Sequence, residues 1–214
     1  MVGKFRKRIS SIIPLKKLVY LISPNKISKE FYNSLEKVLS FGNVMFFQLR
    51  LKNSNKIDTL KIGKKIKKIT QKHKVKFIIN DSYTLALLIK ADGCHLGQLD
   101  GSIKIAKRKL KNCILGVTCH NSLALAKKAE KEDVSYLAFG SFFKSKLKPN
   151  AKRTNLTVLK RAKKRFKKPI VAIGGINNWN YKKLIKSGAK YIALSSFIWD
   201  NPNLKPEIAI KKFK

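Results

Sequence analysis

Short β-branched runs alternate with Lys-rich amphipathic stretches eight times along this chain, at a spacing of about 20 to 30 residues. A strand followed by a helix, repeated in this way, makes a parallel sheet with its helices packed outside. The predicted strands are Lys17 to Ser23, Val44 to Lys52, Lys76 to Asp81, Gly93 to Gln98, Ile114 to His120, Ser135 to Phe143, Pro169 to Ile176 and Tyr191 to Ile198. Helices are expected between them. In Asp58 to His73, Ile62, Ile66 and Ile69 recur at helical spacing, and Asn121 to Glu132 opens on an Asn-Ser cap. Eight such units in 214 residues predict one α/β domain, a closed (β/α)8 TIM barrel over 17–214. An open doubly wound sheet is the competing topology, but the Gly-rich first turn it would carry is missing.

Residues 1–16 read as a basic N-terminal extension. Their apolar part is only Ile12-Ile13 before Pro14, short of the ~7 residues a signal peptide needs. No apolar run reaches the ~18 residues of a membrane span, so no membrane association is expected. Cys94, Cys113 and Cys119 are an odd count with no Cys-x-x-Cys pair, which fits a reducing cytoplasm better than a disulfide framework or a zinc site. The net charge of +38 comes from 49 Lys and Arg against 11 acidic residues, but only seven of the 49 are Arg and they are scattered. Nucleic-acid modules concentrate charge on one face and interleave Arg or aromatics, so no specific nucleic-acid partner is expected. The field of such a surface instead steers small anions toward the protein.

In a barrel of this type, chemistry belongs to the C-terminal strand ends and the loops after them. On the second strand, Gln48, Arg50 and Lys52 share one face, and an inner rim carrying Arg and Lys calls for an anion. A wet edge strand would explain the same pattern. The third strand stops in Asn80-Asp81, and Asp100 follows the fourth. Two carboxylates at adjacent strand ends can share a hard cation such as Mg2+ together with substrate phosphates, although Asp81 also stands where a helix cap would. The fifth strand places Thr118 and His120 on one face. Gly174-Gly175 and Ser195-Ser196 end the seventh and eighth strands, where barrels form phosphate sites from bare backbone N–H groups. The long connection Lys144 to Asn155 is a candidate lid and carries Lys146 and Lys148. Two anion seats, and hence two phosphorylated small-molecule substrates, are implied.

The runs QLRLK (48 to 52), IIND (78 to 81), ADGCHLGQLD (91 to 100), ILGVTCH (114 to 120), YLAFGSFFKSKLKPNA (136 to 151), PIVAIGGI (169 to 176) and ALSSFI (193 to 198) resemble, in order and spacing, the thiamine-phosphate synthase family and its thiazole tautomerase relatives. The resemblance implies a barrel transferase that joins a hydroxymethylpyrimidine diphosphate to a phosphorylated hydroxyethylthiazole and releases diphosphate. It implies that Gln48, Arg50, Lys52, Asn80 and Thr118 hold the pyrimidine diphosphate, with Lys148 closing from the lid, and that Asp81 and Asp100 ligate Mg2+. Arg50, Lys52, Thr118 and Lys148 are the residues expected to act in catalysis. Ser145 of the lid, Gly174, Gly175, Ser195 and Ser196 would hold the thiazole phosphate.

Four positions depart from the family pattern. Leu51 and Leu99 replace family Glu residues, Thr118 replaces a Ser, and Ser145-Lys146-Leu147-Lys148 stands for Thr-x-Thr-Lys. Two alternatives are carried forward: a tautomerase using His120 for proton transfer, and a catalytically lapsed barrel that binds polyanions.

Overall fold

The computed structural model describes residues 17–52, 54–144 and 153–214. The expected alternation is present: β1 (Val19–Ile22), α1 (Phe31–Ser40), β2 (Val44–Leu49), α2 (Lys56–Lys72), β3 (Lys76–Asn80), α3 (Tyr83–Ile89), β4 (Gly93–Leu96), α4 (Ile103–Leu110), β5 (Ile114–His120), α5 (Leu123–Lys131), β6 (Tyr136–Gly140), α6 (Leu156–Arg165), β7 (Ile170–Ile173), α7 (Tyr181–Lys186), β8 (Tyr191–Leu194), α8 (Ser196–Trp199) and α9 (Pro206–Ala209). All eight strands are parallel, and β1 pairs with both β2 and β8, so the sheet closes in chain order as a TIM barrel. The basic segment 1–16 lies outside the described residues.

Local chemistry starts the helices. Asn55 accepts from Asp58 N at 2.8 Å, Ser82 from Leu85 N at 3.2 Å, Ser102 from Ile105 N at 3.3 Å, Ser122 from Leu125 N at 3.2 Å and Asn155 from Thr157 N at 3.1 Å. Each satisfies a first-turn N–H that the helix cannot satisfy itself. Alternation along the strands then sorts the core into two shells. Val19, Leu21, Phe47, Phe77, Ile79, Leu115, Val117 and Phe139 meet the helices, while Tyr20, Phe46, Ile78, Tyr136, Val171 and Tyr191 fill the interior.

All strands but β5 end sooner than the sequence predicts, β1 and β3 by one residue, β4 by two, and β6 by three, at Gly140 rather than Phe143; the other three bear on the site. β2 stops at Leu49 rather than Lys52, β7 at Ile173 rather than Ile176, and β8 at Leu194 rather than Ile198. The ladder partners run out at the rim: Leu49 pairs with Ile79 and Ile173 with Ala193, and beyond them the chain turns. Gly174 (φ 109°) and Gly175 (φ 58°) turn it after β7, and Ser196 already belongs to a helix after β8.

Gly116 has a packing task. A Cβ there would overlap the Tyr136 ring, which reaches across from β6 into the space this glycine leaves on β5. Gly116→Ala is therefore expected to cost about 3 kcal/mol, because the ring is fully buried and has nowhere to move. Urea denaturation of the two proteins measures it; a loss below ~0.5 kcal/mol would show that the ring can shift aside.

Candidate active site

A cavity of about 610 Å³ opens at the C-terminal end of the barrel. Arg50, Thr118, Gly174, Gly175, Ser195 and Ser196 line it, and with His120 seven of the residues singled out from the sequence meet around one space; Gln48, Lys52, Asn80, Asp81 and Asp100 are not among its lining residues. Ile22, Asn121, Ser122, Gly140, Ser141 and Ile173 complete much of the wall.

Arg50 follows the last residue of β2, and its backbone N–H donates to Ser23 Oγ at 2.9 Å, which ties the loop after β2 to the end of β1. Burial pulls the guanidinium pKa below its ordinary value, and the nearby Asp81 charge works in the other direction. Lys52 departs from the expected inner-rim placement. It lies in the turn past β2 with an exposed side chain, although its charge still reaches Asp81. Gln48 does point inward and is buried, donating from Nε2 to Tyr20 Oη at 3.0 Å.

Asn80 is the last residue of β3, and Asp81 follows in a left-handed conformation (φ 64°), held by its N–H to the His95 carbonyl at 2.8 Å. Ser82, not Asp81, caps α3, which frees the Asp81 carboxyl from that role. The carboxyl instead lies close enough to Asp100 for the two to influence each other's charge. Its pKa is raised to about 6, first by desolvation and then by the Asp100 carboxyl, with Arg50 and Lys52 opposing. Asp100 accepts from Gly97 N at 2.6 Å, which fixes the loop after β4. Two crowded carboxylates beside two cations form an all-oxygen donor pair for a hard divalent ion, with an anion partner adjacent. Among the described residues no cluster of three or more His, Cys, Asp or Glu forms a larger metal site.

Backbone dominates the other side of the cavity. A Cβ on Gly174 would overlap Ser141, and one on Gly175 would overlap the Lys144 carbonyl, so both turns need glycine for space as well as for φ. Ser195 precedes the first turn of α8 without capping it; its hydroxyl donates to the Ser23 carbonyl at 3.2 Å.

These two halves, in this order on a closed barrel, match a known pattern. A family model described as thiamine monophosphate synthase fits residues 19–198. The chain belongs to the thiamine monophosphate synthase family. Within it, the thiamine-phosphate synthase of Pelagibacter ubique is 56% identical over 200 residues, covering 93% of this chain and 97% of that protein. The Clostridium acetobutylicum thiamine-phosphate synthase is 36% identical over 195 residues, 90% of this chain and 92% of that one. The solved thiamine phosphate pyrophosphorylase from Pyrococcus furiosus superposes with a TM-score of 0.82 at 31% identity, covering 92% of this chain and 93% of that one.

Two of the departures from the family pattern fall away from the cavity. Leu51 packs against the outer core and Leu99 is 98% exposed at a loop tip. The lid residues Ser145, Lys146, Leu147 and Lys148 lie outside the described residues. The sequence reading missed Ser141 in the cavity wall and, beneath it, Tyr20, His95 and Tyr136. The available signal was polar residues at inward-facing strand positions.

Proposed function

We propose that this family member condenses a hydroxymethylpyrimidine diphosphate with a hydroxyethylthiazole phosphate, giving thiamine phosphate and diphosphate. The C–O bond to the diphosphate breaks with its electron pair leaving on the phosphate oxygen, and the thiazole nitrogen supplies the pair for the new C–N bond. The single observation that supports this reading is Arg50, whose charge acts on the neighbouring Asp81 and Asp100 pair, lining one cavity together with the Gly174-Gly175 turn and the start of α8. The first group suits a diphosphate with a cation and the second suits a phosphate bound by backbone N–H groups.

Asp81 and Asp100 are the residues that would hold Mg2+, which when bound adds positive charge where the leaving diphosphate develops negative charge. Arg50 and Lys52 add fixed positive charge on the same side, and Gln48, Asn80 and Thr118 hold the pyrimidine diphosphate, Thr118 through its hydroxyl to the anion. Ser145 and Lys148 keep their sequence-based assignment to the lid. No covalent nucleophile is needed, because the two substrates react with each other once held. Three free cysteines support a reducing cytoplasmic setting, and no helix among the described residues is long and apolar enough to cross a membrane.

Purified protein with both substrates and Mg2+ is expected to release diphosphate, and a chelator is expected to reduce the rate by at least about a hundredfold. Release that persists in chelator would overturn the metal role. His120 lines the cavity, which keeps the tautomerase reading testable. That chemistry needs the imidazole and no metal, so His120→Ala should leave diphosphate release within about threefold if the synthase reading holds.

A further inference from the structure

Beneath the cavity, five side chains from five strands form one hydrogen-bonded chain across the barrel. Gln48 Nε2 donates to Tyr20 Oη at 3.0 Å, Tyr20 Oη meets Tyr136 Oη at 2.7 Å, Tyr136 Oη meets His95 Nδ1 at 2.9 Å, and His95 Nε2 meets Thr118 Oγ1 at 2.8 Å. Gln48 and Thr118 are substrate contacts in the reading above, whereas the three residues between them have no task in it. Their geometry is closely held: the His95 and Tyr136 rings stack at 5.6 Å and 12°, and Gly116 opens the space that Tyr136 occupies.

The direction of this chain follows from counting protons. An amide nitrogen can only donate, so the Tyr20 oxygen accepts from Gln48. The single Tyr20 proton then goes to Tyr136, the Tyr136 proton goes to His95 Nδ1, and a ring nitrogen that accepts carries no proton of its own. In the opposite direction Tyr20 would accept from both neighbours. Its own proton would have no acceptor among the described residues, at a site only 2% exposed, which is a costly state.

We infer that Gln48 sets the polarity of this chain, that His95 is thereby held as the neutral Nε2–H tautomer, and that Thr118, receiving its hydrogen bond from His95, keeps its own proton to donate to the bound anion. Tyr20, Tyr136 and His95 are positioning residues that act through Thr118. The link from Thr118 to an anion rests on the proposed function; the tautomer does not.

The test is nitrogen NMR of histidine in the full-length protein without substrates, with His95 assigned among the three histidines by loss of its signal in His95→Gln. A protonated Nε2 and bare Nδ1 are expected, and an Nδ1–H ring or an imidazolium overturns the inference. Gln48→Glu replaces the donor with an acceptor facing Tyr20, so the chain should reverse and the tautomer should switch to Nδ1–H; an unchanged ring refutes the role of Gln48. With substrates, Tyr136→Phe should lower kcat/KM for the pyrimidine diphosphate about fivefold while leaving KM for the thiazole phosphate unchanged. Equal losses on both substrates would indicate a packing role and overturn positioning. If no condensation occurs at all, the NMR result still decides the tautomer while the proposed reaction fails separately.

Discussion

Asp81→Asn is expected to lower the rate of diphosphate release by roughly a hundredfold to a thousandfold while leaving the protein no less stable, since Asn, like Asp, tolerates the left-handed backbone at φ 64°. The two halves of this expectation have one cause. Asp81 is an exposed residue facing Asp100 at the barrel mouth, and desolvation there together with the facing carboxyl opposes its ionised form, as its pKa of about 6 reflects. A charged group that its surroundings disfavour contributes nothing to holding the barrel together in the absence of a cation, so removing it relieves repulsion. For a divalent ion, the same crowding is the attraction. Diphosphate release measured with saturating Mg2+ and thermal unfolding measured on the same sample separate the two effects. Asp100→Ala should reproduce the kinetic loss, and the double variant should be little worse than either single one, because both act as one ligand set. Activity within about threefold of the parent would remove Asp81 from the reaction. A fall in Tm with a proportionate fall in activity would make it a structural residue.

The barrel itself was legible because its cause is local. Each βα unit announces itself through a β-branched run and helical spacing, five of the helices add a capping Ser or Asn such as Ser82, Ser122 or Asn155, and eight such units leave few ways to close. Strand ends were read less well, since where β2 and β8 stop depends on where β3 and β1 still offer a partner, which is a property of the neighbour. Gln48 and Arg50 were placed on the inner side by alternation, but alternation extended one step too far puts Lys52 on the rim, when the chain has already left the ladder.

The inward positions of the buried chain from Gln48 to Thr118 were open to reading by alternation, but its hydrogen bonds were not. Tyr20 and Tyr136 are 116 residues apart and His95 and Tyr136 are 41 apart, and an inward Tyr or His reads in sequence like any bulky core residue. Only closure of the barrel turns these positions into partners.

Gly175→Ala is expected to act on the other substrate. At φ 58° an alanine is strained, and its Cβ would overlap the Lys144 carbonyl, so the turn after β7 must move. Backbone strain of about 1 to 2 kcal/mol and a weakened charge-assisted hydrogen bond of about 1.5 to 3 kcal/mol act on the same loop. Part of the strain is released by movement, so a net loss near 3 kcal/mol is expected, which corresponds to roughly a hundredfold rise in KM for the thiazole phosphate. Steady-state kinetics with each substrate varied in turn should show KM for the pyrimidine diphosphate nearly unchanged, because Arg50, Asp81 and Asp100 stand in the loops that follow β2, β3 and β4. This selectivity is what distinguishes two seats from one. If Gly175→Ala raises both constants together, the turn supports the barrel rather than a phosphate. If it raises only the thiazole constant while Asp81→Asn impairs diphosphate departure, the two groups of residues divide the substrates between them, and the reaction needs nothing more from the protein than to hold them in line and balance the charge of the leaving group.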